Sequence, residues 1–251
     1  MERKLQETTP NPPKEYASRP LSVFINWVEN LNIKYSLVGN PPVYDKAIFP
    51  WVAEVERDWW KIRKELDGIM QHKDELPSFH EIMSELKTIT QDQHWKTYFL
   101  VSYGHESKEN SRRCPETTRI LKKIPGMKTA FFSILSPNKH IPAHKGPYNG
   151  VLRYHLGLIV PEPKEKCRVR VDSEITHWNE GDSLIFDDTY YHEVWNDTSG
   201  HRVVLFVDFV RPVRFPFSLF NRLLIFAARF IPSMREAEEN HKKWEKKFYK
   251  K

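Results

Sequence analysis

His144 and His192 have the types and order of a metal site. His144 opens the stretch His144-Lys145-Gly146-Pro147-Tyr148-Asn149, and His192 follows Phe186-Asp187-Asp188-Thr189-Tyr190-Tyr191. A histidine two residues ahead of a carboxylate, with a second histidine downstream, makes the facial triad of a non-haem Fe(II) oxygenase, but here the carboxylate position is Gly146. The pattern fits a site that has lost its metal, one that never existed, or one that works with two protein ligands. Neutral imidazole suits Fe(II), and open coordination positions are needed if a chelating cosubstrate and O2 are both to bind. Ten residues after His192 stands Arg202. Its guanidinium fork suits the far carboxylate of a dicarboxylate such as 2-oxoglutarate. Arg153 and His155 lie on one run just beyond His144. Taken singly, a strand histidine is usually a satisfied core residue, an arginine usually a surface charge, and a doublet like Asp187-Asp188 usually a maker of turn hydrogen bonds. Their order and spacing together point to one site.

The elements that must position these residues are mainly β. Short runs at 128–135, 150–160, 167–171, 183–186 and 202–210, separated by Pro, Gly, Asn and Asp, suggest an antiparallel sandwich or jelly roll. Residues 94–104 read as a further strand ending at Gly104. Ahead of the strands, Ile48, Val52, Val55, Trp59, Ile62, Leu66 and Ile69 alternate at spacings of four and three, which predicts one core-facing helical stripe. Residues 114–126 predict a short helix with Pro115 in its first turn and Gly126 closing it. The expected organisation is an N-terminal arm (1–44), a double-stranded β-helix or jelly-roll core with N-terminal helical support (45–212), and a C-terminal helical tail (213–251). Residues 1–20 carry four of the 18 prolines and read as a flexible or surface-draped arm. In the tail, residues 215–232 predict an amphipathic helix, interrupted by Arg222 and Arg229. Ser233 and Glu236 have capping-box spacing for a last, charged helix.

Charge and cysteine content narrow the class. The net charge of +6 is concentrated: residues 211–251 hold 11 Lys+Arg against 4 Asp+Glu, and the other 210 residues hold 28 against 29. That distribution argues against nucleic acid as partner and for a local contact with an anionic surface. Two cysteines, Cys114 and Cys167, are too few for a disulfide scaffold. With no apolar signal segment, the expectation is a cytoplasmic protein, peripheral on the inner face of a membrane if the tail binds one.

The stretches HKGPYNGVLRYHLGL and WNEGDSLIFDDTYYHEVWNDTSGHRVVLFVDFVRP closely resemble the aspartyl/asparaginyl β-hydroxylase family of Fe(II)/2-oxoglutarate dioxygenases, which includes bacterial lipid A acyl-chain hydroxylases. The resemblance covers about residues 96–212 and implies an enzyme using Fe(II), 2-oxoglutarate and O2. It implies that His144 and His192 bind iron, that Arg202 with Ser133 binds the far carboxylate of 2-oxoglutarate, and that Arg153 and His155 hold the carboxylate beside the iron. Members of the peptide-hydroxylating type have glycine at the position of Gly146, with water in place of the third ligand, positioned by an aspartate matching Asp188, whereas other branches keep an acidic residue there, so Gly146 points to an aspartyl/asparaginyl-type substrate. Hydroxylation of an aliphatic carbon is implied. The substrate is either an aspartyl/asparaginyl-type side chain or, as the basic amphipathic tail suggests, a lipid acyl chain. A halogenase, with chloride beside the iron, and a metal-free jelly-roll binding module are the rival readings. Arg202→Ala is expected to raise the requirement for 2-oxoglutarate far more than that for iron. Titrating each cofactor against succinate release checks this, and equal losses would contradict Arg202's role.

Overall fold

The computed structural model describes residues 19–102 and 105–250. Residues 1–18 of the expected arm and the strand end at Gly104 lie outside the described residues, and residues 19–34 of that arm form a helix. The chain begins with α1 (Arg19–Lys34), β1 (Val43–Tyr44), α2 (Trp51–Arg57), α3 (Trp59–Met70) and α4 (Phe79–Ile82). Next come β2 (Trp95–Ser102), β3 (His105–Glu106), α5 (Lys108–Arg113) and α6 (Pro115–Leu121). The remaining strands are β4 (Met127–Leu135), β5 (Lys139–His144), β6 (Val151–Ile159), β7 (Cys167–Val171), β8 (Glu174–His177), β9 (Ser183–Phe186), β10 (His192–Asn196) and β11 (Arg202–Val210). The chain closes with α7 (Ser218–Ala228) and α8 (Pro232–Phe248).

The strands form two antiparallel sheets, one of seven strands ordered β1-β9-β6-β11-β4-β2-β3 and one of four ordered β5-β10-β7-β8. This is the expected jelly roll. Strand β11 shows why the sequence folds this way. Its alternate residues Val203, Leu205, Val207 and Phe209 join Val52, Val55, Ile62, Leu66 and Ile120 in a core between the large sheet and the helices. Val204 and Phe206 face the opposite way, into a second core with Phe131, Val169, Val171 and Val194 between the sheets. A strand covered on both faces reads as a continuous apolar run. Where that run turns polar on the inner face, at Arg202 and Asp208, the interior itself is polar.

Three expectations need correction. The stripe from Ile48 to Ile69 is not one helix. Asp58 leaves helical geometry between α2 and α3, its carboxylate held by Lys61 at 2.8 Å and Lys123 at 3.2 Å, and Ile48 lies in a preceding 3-10 turn, exposed. Ser233 does not cap the last helix, because α8 starts one residue earlier at Pro232, whose fixed φ and missing N–H suit a first helical position. Strand β5, which carries Pro142, was not among the expected runs. It lies at a sheet edge, where a proline disrupts no ladder.

Leu205→Ala, in the fully buried centre of β11, is expected to cost about 2–5 kcal/mol of stability. A denaturant midpoint close to wild type would contradict the packing described here.

Candidate active site

The two histidines meet because β5 and β10 pair with His144 directly opposite His192. Between this pair and the Ile141–Val194 pair, β5 holds one more residue than β10, a bulge beside the site. On the outer face of the same strands, Glu193 binds Arg170 at 2.5 Å and His140 at 2.7 Å, and Trp195 stacks on His140 with centroids 5.5 Å apart. These cross-strand pairs pin the register, and the period of two then sends His192 inward.

The imidazole centroids are 4.1 Å apart. Nδ1 of His144 is 2.8 Å from the Pro142 carbonyl, and Nδ1 of His192 is 3.1 Å from the Tyr190 carbonyl. A carbonyl only accepts, so each Nδ1 donates and each Nε2 keeps its lone pair, the tautomer a metal needs. Burial lowers the pKa of His144 to about 4. Burial, and then His144 itself, push that of His192 well below the ordinary imidazole range. Both rings are therefore neutral at neutral pH.

Asp188 explains Gly146. The Gly146 N–H donates to the Asp188 carbonyl at 2.6 Å, and a Cβ on residue 146 would collide with the Asp188 carboxylate. Asp188 is itself anchored, with Oδ2 at 2.7 Å from Nη2 of Arg153, whose Nε reaches Asp208 at 3.1 Å. Its other oxygen, Oδ1, is buried without a hydrogen-bond partner. Burial raises the Asp188 pKa to about 7 despite the charge of Arg153. The neighbouring Asp187 behaves as the bland expectation has it, accepting from Thr189 N at 3.0 Å, and it also pairs with the buried guanidinium of Arg211.

Arg202 is the most exacting group here. It is 2% exposed, lies 4.5 Å over the Trp178 ring, and its Nε and Nη1 have no hydrogen-bond partner. Burial lowers its pKa to about 10, within the range where it stays charged. Leaving buried donors unsatisfied costs roughly 1–3 kcal/mol apiece, more for a charged group, so the cradle suits an anion. Ser133 lies on the neighbouring strand, opposite Val204. Its Oγ accepts from Trp95 Nε1 at 3.0 Å, which frees the hydroxyl proton for donation. Both nitrogens of His155 are buried without a partner, and the charges of Arg202 and Arg153 add to burial in lowering its pKa.

All seven residues expected from sequence face one interior. His144 and His192 come from the small sheet, Ser133, Arg153, His155 and Arg202 from the large one, and Asp188 from the turn after β9. The donor set fits a divalent metal held by two imidazoles, with a carboxylate ligand reaching Arg202 and Ser133. Among the described residues, no group of three or more His, Cys, Asp or Glu is placed to hold a metal ion. Sequence reasoning missed Trp178, Trp95, Asp208 and Arg211. Trp178 stands at the head of the WNEGD stretch, but nothing in its type or spacing shows that it lies against Arg202.

The sequence profile of the family described as aspartyl/asparaginyl beta-hydroxylase matches residues 56–212, which takes in α3 and every residue of this site. The chain belongs to that family. The match starts well ahead of residue 96, where the resemblance in sequence begins. The chain is 54% identical over 225 residues to the ornithine lipid ester-linked acyl 2-hydroxylase of Rhizobium tropici, covering 90% of this chain and 80% of that protein. It is 34% identical over 166 residues to the aspartyl/asparaginyl beta-hydroxylase of Homo sapiens, covering 64% of this chain and 21% of that protein. A Pseudomonas putida prolyl-4-hydroxylase structure aligns with a TM-score of 0.42 at 16% identity, over 64% of this chain and 98% of that one. Family membership makes the protein an oxygenase of the hydroxylase type.

Gly146→Ala should force Asp188 off Arg153 and so cost stability at a position that is only partly buried. We expect a Tm lower by several degrees, about 1–3 kcal/mol for overpacking. An unchanged Tm would show that Asp188 moves freely.

Proposed function

We propose that the protein is an Fe(II)/2-oxoglutarate-dependent dioxygenase that hydroxylates an acyl chain of a membrane lipid. The observation that carries the reaction is the buried Arg202 guanidinium, which makes no salt bridge among the described residues and leaves Nε and Nη1 unsatisfied, in the same interior as two neutral, metal-ready imidazoles. The relative from Rhizobium tropici, matched along most of both chains, supports the lipid over the aspartyl/asparaginyl side chain.

In this reading His144 and His192 hold Fe(II) through Nε2. When bound, iron with 2-oxoglutarate and O2 supplies an oxidant able to hydroxylate an aliphatic C–H bond, with succinate and CO2 as co-products. Arg202 and the Ser133 hydroxyl orient the far carboxylate of 2-oxoglutarate, and Trp178, whose ring lies 4.5 Å from the Arg202 guanidinium, keeps water from that end. His155 and Arg153 stand at the near carboxylate, and Arg153 holds Asp188 at the same time. Asp188 Oδ1, its pKa near neutrality, can accept or give a proton to water beside Gly146. The Asp188 carboxylate beside that position opposes a second anion, which favours hydroxylation over chloride transfer.

Purified protein given Fe(II), 2-oxoglutarate and isotopically labelled O2 is expected to release succinate. With a lipid bearing an ester-linked acyl chain, it is expected to add one labelled oxygen to that chain, read by mass spectrometry. Failure to release succinate with Fe(II) would contradict the reaction. Labelling of an aspartyl peptide with the lipid untouched would move the substrate to the other class.

A further inference from the structure

One surface of the protein has its apolar face outward. Helix α7 packs inward through Asn221 and Ile225. Along its opposite side Leu219, Leu223, Phe226 and Phe230 recur at spacings of four, three and four, and each is more than half exposed. Trp27 of α1 lies edge-on to Phe220 at 5.1 Å and is itself 45% exposed, so the apolar surface continues onto the neighbouring helix. A single exposed leucine is ordinary, but a continuous stripe on a paired helix marks a contact surface.

The charge along the α7 side of this stripe has one sign. Residues 211–235 hold five arginines and no Asp or Glu. Arg211 is buried with Asp187, while Arg214, Arg222, Arg229 and Arg235 are exposed, and among the described residues none of these four takes part in a salt bridge. Arg222 and Arg229, one heptad apart, run along one edge of the stripe, where long stems let the charged heads reach outward beside buried apolar neighbours. A second copy of the chain seated on this face would bring the same cations against one another. No helix among the described residues is long and apolar enough to cross a membrane.

We infer that the outward face of α7, extended by Trp27 of α1, lies in the interface of an anionic phospholipid bilayer. The inference rests on the lipid-acyl reading for its purpose. The fold joins this face to the chemistry. Asn32 of α1 donates to Asn149 at 3.0 Å and to Tyr148 at 3.2 Å, Tyr148 donates to Asn221 of α7 at 2.8 Å, and Asn221 donates to the Gly150 carbonyl at 2.9 Å. These groups sit on the loop that leaves His144. A helix pair seated in lipid thereby holds the loop beside the first iron histidine at a set position, and the buried amides leave it little freedom to tilt.

The test is co-sedimentation of the full chain with vesicles of phosphatidylglycerol and phosphatidylcholine, and with phosphatidylcholine alone. Wild type is expected to sediment with the anionic vesicles. The double variant Leu223→Glu/Phe226→Glu should lose about tenfold or more in partitioning. The double variant Arg222→Gln/Arg229→Gln should lose the preference for anionic over zwitterionic vesicles. Circular dichroism and lipid-free succinate release should match wild type for both, because neither pair touches the site. Absence of wild-type binding would overturn the inference. So would unchanged partitioning of the glutamate variant, or a wild-type dimer that the glutamate variant dissociates without either binding vesicles. Binding that behaves as expected with no lipid hydroxylated would leave the docking face standing and refute the lipid substrate.

Discussion

The pairing of β5 with β10 sets everything else in the site. Two imidazoles can share a metal only if both strands present them to the same interior at the same level, and a slip of one residue would turn His192 out and Glu193 in. The outer face guards against that slip through Glu193 with Arg170 and His140, and through Trp195 stacked on His140. The inner face agrees, since the same register places Val194 opposite Val169 and Ile141 in the apolar core. Structure and chemistry thus depend on one alignment, with surface charge pairs and core packing both voting for it.

Inside that alignment the protein keeps an unusual concentration of polar groups in an apolar sandwich. Each is arranged either to satisfy its neighbours or to wait for a ligand. Arg153 is compensated by Asp188 and Asp208, and Arg211 by Asp187 and surrounding carbonyls. Arg202, His155 and Asp188 Oδ1 are left with unsatisfied atoms. Charge burial without compensation is stable only when the surrounding fold is stable enough to carry it. The two apolar cores that flank β11 supply that support. Gly146 belongs to the same economy of space: the carboxylate that a triad would carry at 146 is excluded by one already lodged there from residue 188.

Much of this was legible in the residues. Strands β4, β6, β9 and β11 announce themselves as apolar runs because both their faces are covered, and β7 by the alternation of buried Cys167, Val169 and Val171 with Arg168 and Arg170. His144, His192 and Arg202 announce themselves by order and spacing. What stayed hidden depends on partners far away in sequence. Strand β5 carries Pro142 and polar residues because it is an edge. Helix α1 hides because its apolar residues pair with α7, with only Val28 fully buried. The break at Asp58 follows from lysines on α3 and beyond α6. That Asp188 occupies the room above Gly146, or that Trp178 lies under Arg202, follows from strand register and cannot be read from either residue alone.

The central proposal is that iron is held by two histidines and no protein carboxylate. Fe(II) affinity measured for Asp188→Asn beside His144→Ala and His192→Ala tests it most directly, since asparagine keeps the shape of Asp188 while removing its charge. Both alanine variants are expected to lose tight iron binding, while Asp188→Asn should stay within roughly tenfold of wild type, the scale of outer-shell effects. Loss of iron from Asp188→Asn as complete as from His144→Ala would make Asp188 the third ligand and contradict the two-histidine account.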